Sequence, residues 1–156
     1  MERILINGLE LMLRPAEERD IGFVYELMRH HLEDSFNQIP EKWSRKKFKE
    51  GYKPDRITII EHANRQIGFF DIEVLDNQLY FHNLHIFGDY QGRGIGTYLL
   101  RYIECGAKKH GASSIRGKVF KSNSKLLNHL LRRRGYIIVE ELPEEKSFLV
   151  KKDLER

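Results

Sequence analysis

The sequence predicts a mixed α/β fold in which one β-sheet carries helices on both faces. Its 156 residues suffice for one domain with a hydrophobic core and are too few for two ordinary domains. Segments with the apolar spacing of a helix alternate along the chain with segments rich in β-branched and aromatic residues. Three strand-like segments follow one another in the middle of the chain, which is typical of an antiparallel meander. We therefore expect a single domain over residues 1–156.

The first third of the chain predicts one strand and two helices. The segment LELMLRP (Leu9–Pro15) is strand-like and ends at a proline. A helix over Glu17–His31 is indicated by apolar residues at spacings of three and four, namely Ile21, Val24, Tyr25 and Met28. A shorter helix is expected over Glu41–Glu50, after the segment EDSFNQIP, which we interpret as a loop.

The rest of the chain predicts six strands and two helices. A helix over Gly94–His110 is expected to end at Gly111, because glycine readily adopts the positive φ of a helix terminus. A second helix is expected over Ser124–Arg134. The strands are predicted at Arg56–His62, Gln66–Leu75, Gln78–Phe87, Ser114–Phe120, Tyr136–Leu142 and Ser147–Asp153. The predicted order is therefore β-α-α-β-β-β-α-β-α-β-β.

Composition excludes several classes of function. Lys and Arg number 27 against 23 Asp and Glu, and this net charge of +4 falls well short of the basic stripe expected of a nucleic-acid binder, which leaves only the basic helix end Arg132–Arg134 as an alternative for such binding. No apolar run is long enough to cross a bilayer, and the N-terminal segment lacks the pattern of a signal peptide. A single cysteine, Cys105, excludes an intrachain disulfide and a CxxC metal site. We expect a cytoplasmic protein with no metal and no nucleic-acid or membrane partner.

The stretch YQGRGIG (Tyr90–Gly96) lies between a predicted strand and a predicted helix. Unpaired backbone N–H groups at the start of a helix bind phosphate when glycines let the phosphate come close. A dinucleotide-binding fingerprint would need glycine in place of Thr97, and the Walker A pattern is absent. The stretch therefore predicts a different phosphate-binding turn, and an ordinary tight turn is the alternative.

This stretch resembles the Q/R-x-x-G-x-G/A signature of GNAT-family N-acetyltransferases, with Gln91, Gly94 and Gly96 at its set positions. The later segments VFKSN and RRRGY and the order of the elements resemble the same family, from Leu9 to Lys152. The resemblance implies a GNAT acyl-CoA N-acyltransferase-like fold with a splayed central mixed sheet. It also implies transfer of acetyl from acetyl-CoA to a primary amine, by direct attack in a ternary complex.

The resemblance also implies where acetyl-CoA binds. Backbone N–H groups of the glycine turn would hold its pyrophosphate, from Gln91, Gly92, Arg93, Gly94, Ile95, Gly96 and Thr97. The backbone of Leu84, His85 and Ile86 would pair with the pantetheine arm, and Asn123 would lie near the same arm. A valine at Gly94 would then be expected to project into the pyrophosphate site.

The general base of the family often lies on the fourth predicted strand. Alternation along that strand predicts that Tyr80, His82, Leu84 and Ile86 share one face. Relatives place Glu or His at the positions of Tyr80 and His82, which makes these two the candidate catalytic residues. His82 is the favoured base because an imidazole titrates near working pH. Glu73, on the neighbouring strand, is a weaker candidate.

One feature of the family's site is missing from this sequence. The tyrosine that usually protonates the leaving thiolate corresponds to Leu131, or to Leu130 if the late helix is one residue longer. An acetyl-CoA-binding sensor without turnover is therefore the alternative function. The acceptor would be a small-molecule or peptide amine, selected by the loop Glu33–Trp43. The last strands leave a sheet edge at which a homodimer could form.

Overall fold

A computed structural model describes residues 1–154 and shows a single eight-stranded mixed sheet in the order β1-β2-β3-β4-β5-β6-β8-β7. Four α-helices and four short 3₁₀ turns connect the strands, so the predicted mixed α/β class is confirmed. The elements are β1 (Glu2–Ile6), β2 (Leu9–Pro15), α1 (Ile21–Phe36), α2 (Arg45–Gly51), β3 (Ile57–His62), β4 (Arg65–Leu75), β5 (Gln78–Ile86), α3 (Ile95–Lys109), β6 (Ser114–Phe120), α4 (Ser124–Arg133), β7 (Ile137–Leu142) and β8 (Ser147–Asp153).

The first strand, β1, is absent from the sequence-based prediction. It pairs antiparallel with β2 through a two-residue turn at Asn7 and Gly8, which both have positive φ (48° and 84°). Asn-Gly is the dipeptide that favours this hairpin turn, because both of its central positions require positive φ. The sequence therefore does contain a local signal for β1.

Helix α1 begins and ends later than predicted. The segment Glu18–Asp20 forms a 3₁₀ turn, and the buried Asp20 carboxylate accepts two hydrogen bonds from Arg14 at 2.8 Å. The residues EDSF, predicted as part of a loop, instead form the last turn of α1. Helix α2 begins only at Arg45, because the Ser44 hydroxyl accepts the N–H of Lys47 and caps the helix.

Two cores cover the two faces of the sheet. On one face, α3 and α4 pack on a large cluster in which Leu99 and Ile115 are fully buried. On the opposite face, α1 and α2 pack on a smaller cluster around Val24 and Phe69. We call these the α3/α4 face and the α1/α2 face.

The centre of the sheet opens between β5 and β6. These strands run parallel and pair only from Gln78↔Ser114 to Phe81↔Gly117. Beyond that point β5 continues to Ile86 and β6 to Phe120 without pairing to each other. Backbone groups of β5 that point toward β6 are therefore available to a ligand in this opening.

A β-bulge lies at the start of the opening. Asp71 on β4 pairs with Asn83, whereas the next residue, Ile72, pairs with Phe81. His82 is thus an extra residue on β5, and an extra residue reverses the alternation of side chains beyond it.

The bulge makes the predicted strand faces wrong. Tyr80 and His82 share a face, with their rings stacked at 5.7 Å, and His85 lies on that α1/α2 face against Phe69. The apolar residues belong to the α3/α4 core, namely Leu79, Phe81, Leu84 and Ile86. Leu84 and Ile86 are therefore on the opposite face from His82, contrary to the prediction.

Strand β7 forms one edge of the sheet. Ile137, Ile138 and Val139 on this strand are 61%, 43% and 43% exposed. The homodimer through this edge stays a prediction.

Candidate functional site

The glycine-rich turn presents a row of unpaired backbone N–H groups. Gly92 and Gly94 have φ of 75° and 80°, and α3 begins directly afterwards at Ile95. Within the described residues, the N–H groups of positions 92–97 donate to no other part of the chain, and the first helical bond runs from Tyr98 to Gly94. Together with the positive end of the α3 dipole, these groups form an anion-binding concavity. Gln91 does not belong to this group, contrary to the expectation for its backbone, because its N–H donates to the Gly88 carbonyl at 3.1 Å. We call residues 92–97 the amide cradle.

The three glycines of the cradle face different surroundings. A Cβ atom added at Gly92 or Gly96 would meet no atom within 4 Å, so both positions border open space. A Cβ at Gly94 would lie 2.9 Å from Nδ2 of Asn7, which donates a hydrogen bond to the Arg93 carbonyl at 2.8 Å. A valine at Gly94 would therefore meet the end of the Asn7 side chain, and the positive φ would strain its backbone. Its projection into the pyrophosphate site stays a prediction, and a loss of binding in this variant would also reflect these effects. Asn7 was not among the predicted site residues.

A chain of polar side chains joins the cradle to β5. Gln91 Nε2 donates to the carbonyl of Ile86 at 2.9 Å and lies 3.5 Å from His31 Nε2. His31 Nδ1 lies 2.8 Å from His85 Nδ1, and His85 Nε2 lies 2.9 Å from the Asn83 Oδ1 atom. An amide oxygen can only accept, so His85 carries its proton on Nε2 and His31 donates to its Nδ1.

Burial keeps this histidine pair neutral. Burial, and to a smaller extent the charge of His31, lowers the pKa of His85 to about 3. The pKa of His31 is lowered chiefly by burial as well. The imidazole of His85 therefore packs on the α1/α2 face against Phe69. The His85 backbone faces β4, because His85 lies opposite Phe69 and two residues before Phe87, whose N–H donates to Ile67 of β4. The expectation that the His85 backbone would pair with the pantetheine arm is therefore wrong.

The other predicted pantetheine-binding residues line the opening. Leu84 and Ile86 direct their side chains into the α3/α4 core, and their backbone lies in the part of β5 that pairs with β4 but not with β6. Asn123 precedes α4, and its side chain accepts the Leu126 N–H at 3.4 Å. This contact caps the start of α4, which follows shortly after the end of β6, and leaves the Asn123 amide N–H₂ group exposed.

The candidate base lies in a charged cluster on the α1/α2 face. His82 Nε2 lies 2.8 Å from a Glu73 carboxylate oxygen. Arg56 contacts the same Glu73 oxygen at 3.4 Å and binds both carboxylate oxygens of Asp71 at 3.0 Å. The His82 and Glu73 side chains are 31% and 27% exposed, so a solvent-borne substrate can reach them. The structure thus brings together His82, Tyr80 and the weaker candidate Glu73.

The late helix places no phenol where the family usually has one. Leu130 is buried in the core and Leu131 packs against it. Tyr136 is buried and donates to Glu104, and burial raises its pKa far above the usual value. Burial also raises the pKa of Tyr102 to about 12, and Tyr102 bonds to Glu2.

A small cavity lies where α1 meets the end of β6. Ser35 and Ser122 bond through their hydroxyls at 2.9 Å, and the rings of Phe36 and Phe120 contact edge to face. The cavity has a volume of about 290 Å³ and is lined by Ser35, Gln38, Phe120, Lys121, Ser122 and Lys146. The loop Glu33–Trp43, predicted to select the acceptor, contributes Ser35 and Gln38 to this cavity. Its acidic residues do not line the cavity.

Metal-binding clusters and membrane spans are both absent from the described part of the chain. Residues 1–154 contain no group of three or more His, Cys, Asp or Glu side chains arranged to hold a metal ion. None of the helices there is long and apolar enough to span a membrane.

Comparison with known proteins identifies the family. Residues 24–136 match the sequence model of the Acetyltransferase (GNAT) family, and because this match covers more than half of the chain, the protein belongs to that family. A comparison with curated proteins finds no match.

Solved structures share the fold at low sequence identity. PaiA N-acetyltransferase from Thermoplasma acidophilum, crystallised with coenzyme A, matches with a TM-score of 0.70 at 18% identity, over 92% of this chain and 98% of that one. Ard1 from Thermoplasma volcanium matches with a TM-score of 0.72 at 13% identity, over 94% and 99%. A GNAT-family acetyltransferase from Listeria monocytogenes matches with a TM-score of 0.67 at 16% identity, over 98% and 100%. These matches establish the predicted GNAT fold.

Proposed function

We propose that this protein is an N-acetyltransferase that moves the acetyl group of acetyl-CoA to a primary amine in a ternary complex. The amide cradle carries this proposal, because its unpaired N–H groups lie at the C-terminal end of β5, next to the opening between β5 and β6. Membership of the GNAT family and the coenzyme A bound to PaiA support the same ligand.

The residues present fit acetyl-CoA. The cradle offers N–H donors and open space at Gly92 and Gly96, where a diphosphate can approach the backbone. The backbone groups of Leu84 and the N–H of Ile86, which face away from β4 and which β6 leaves without a partner, would bind the pantetheine amides as a strand would. When bound, the coenzyme supplies a thioester whose carbonyl carbon an amine can attack.

The chain's own groups would assist that attack in two ways. An alkylamine is mostly protonated at neutral pH, with a pKa of about 10, so a base is needed to remove its proton. His82 is our candidate for this base, and the stacked Tyr80 ring limits its movement. A backbone N–H of the unpaired part of β5 would stabilise the developing oxyanion.

One observation favours the alternative of a sensor without turnover. Leu130 and Leu131 leave the departing thiolate without the phenol that usually protonates it. If the protein is an enzyme, the thiolate leaves as an anion or takes a proton from water.

An acceptor screen separates these functions. The protein is mixed with acetyl-CoA and a panel of small-molecule and peptide amines, and the released thiol and the acetylated product are both measured. An N-acetyltransferase releases thiol in proportion to the acetylated amine. Coenzyme binding without thiol release from any amine would support the sensor, and absence of coenzyme binding would refute both.

A further inference from the structure

We propose that Glu73 is a positioning residue for His82, and that Nδ1 of His82 is the nitrogen that takes the proton of the acceptor amine. This inference rests on the proposed function for its chemical role. The contact between the two side chains can be tested independently of turnover.

The hydrogen bond between the two residues determines which ring nitrogen is free. Glu73 Oε1 lies 2.8 Å from His82 Nε2, and an ionised carboxylate can only accept. His82 therefore carries its proton on Nε2, and a neutral ring then has its lone pair on Nδ1. Among the described residues, the hydrogen bond of His82 runs through Nε2, and no side chain or backbone group bonds to its Nδ1. Nδ1 is thus the nitrogen whose lone pair is free to accept a proton.

The surroundings of Glu73 keep it ionised. Its pKa is lowered by the hydrogen bond from His82 and by the positive charge of Arg56. A carboxylate with a lowered pKa is a poor base for an alkylamine, so these contacts favour His82 over Glu73 as the proton acceptor.

The position of the Glu73 side chain is itself restricted by Arg56. Arg56 binds Asp71 through two parallel hydrogen bonds of 3.0 Å and contacts Glu73 at 3.4 Å. Paired guanidinium–carboxylate bonds of this kind restrict the orientation of both groups. The Tyr80 ring covers the imidazole at 5.7 Å with an interplanar angle of 29°. The imidazole is therefore held by a hydrogen bond at one nitrogen and by a stacked ring.

The proton balance of the step follows from this arrangement. The ammonium form of the acceptor has no lone pair, so it first loses one proton to Nδ1, which passes it to solvent. As the neutral amine nitrogen then bonds to the acyl carbon and the C–S bond breaks, the electron pair leaves with sulfur as a thiolate, and the nitrogen has a second proton to lose. That proton moves to Nδ1, and the ring becomes an imidazolium that still donates from Nε2 to Glu73. The new positive charge then lies beside a carboxylate, which stabilises it. The ring later loses the proton to solvent.

The first test observes the ring directly in the folded protein. ¹⁵N and ¹H NMR of labelled protein near neutral pH should show His82 protonated at Nε2, with a hydrogen-bonded N–H signal. The substitution Glu73→Ala should remove that signal, and Glu10→Gln, another strand glutamate that pairs with an arginine, should leave it unchanged. A ring protonated at Nδ1 in the unmodified protein, or a signal that persists in Glu73→Ala, would overturn the proposal.

The second test uses turnover of an amine found in the acceptor screen. In Glu73→Gln, kcat should fall at least tenfold with unchanged coenzyme affinity, and the acidic limb of the pH–rate profile should move to lower pH. In Glu73→Asp, which keeps the charge, the limb should stay near its original pH. A limb that does not move in Glu73→Gln would refute the role of Glu73. If no amine is acetylated at all, the proposed function fails, whereas the NMR result still decides whether the pair exists.

Discussion

Gly96 offers a direct test of the amide cradle. It is the second residue of α3, lacks the positive φ of Gly92 and Gly94, and a Cβ atom added to it would meet no atom within 4 Å. A side chain can therefore begin there without backbone strain and without a close contact of its Cβ atom. Because Cα–Cβ bonds of a helix tilt toward its N-terminus, the new side chain would extend toward the free N–H groups.

The expected loss can be worked from the hydrogen bonds that the valine would block. A hydrogen bond to a charged group contributes about 1.5–3 kcal/mol. Displacing a phosphate from one N–H of the cradle should therefore weaken coenzyme binding about 10- to 150-fold. Fold stability should stay equal or rise slightly, because valine is a better helix former than glycine by a few tenths of a kcal/mol.

Gly106 provides a matched control in the same helix. A Cβ atom added there would also meet no atom within 4 Å, and the residue lies about 15 Å further along the axis. Coenzyme A affinity would be measured by titration calorimetry, and thermal unfolding would be followed by circular dichroism. Gly96→Val should lose affinity and Gly106→Val should retain it. Equal affinities in the two variants, with both folded, would refute the location of the cradle.

Three further predictions concern neighbouring residues. His82→Ala should lower kcat at least tenfold and leave coenzyme affinity unchanged, and an unchanged rate would exclude His82 as the base. Asn7→Ala should weaken coenzyme binding about fivefold, because about 1 kcal/mol of hydrogen bonding to the Arg93 carbonyl is lost; an unchanged dissociation constant would contradict this. The free energy of unfolding should fall as pH drops from about 6.5 toward 3, since the unfolded chain then binds protons that the buried His85 and His31 do not. The slope contributed by one histidine is at most about 1.4 kcal/mol per pH unit, and urea unfolding of His85→Gln should show a shallower pH dependence.

Local patterns are sufficient to predict most of the elements. The three-and-four spacing of apolar residues marks α1, and the glycine-rich turn marks the start of α3, because both depend on residues close in sequence. The last turn of α1 differs from its prediction, since EDSFN has the composition of a loop. Its helical state depends on tertiary packing, in which Phe36 contacts Phe120.

The contacts that shape the site could not be predicted in the same way. Asn7 reaches a carbonyl 86 positions away, and His31 meets a partner 54 positions away. Neither pair has a local signature, because each depends on which strands become neighbours and in what register. The contact between Glu73 and His82 also depends on register, since it forms across the β4–β5 pair at its irregular point.

The bulge at His82 is explained by side-chain packing on the two faces of the sheet. In a regular strand, His85 would have pointed into the α3/α4 core, and Leu84 and Ile86 would have pointed toward α1. A buried imidazole without partners costs free energy, and exposing two apolar side chains forfeits their burial. One extra residue satisfies both faces, because it turns His85 toward His31 and Asn83 and keeps the apolar side chains in the larger core. The same residue lies where β5 loses its pairing with β6, so the strand irregularity required for packing also places the candidate base at the mouth of the opening.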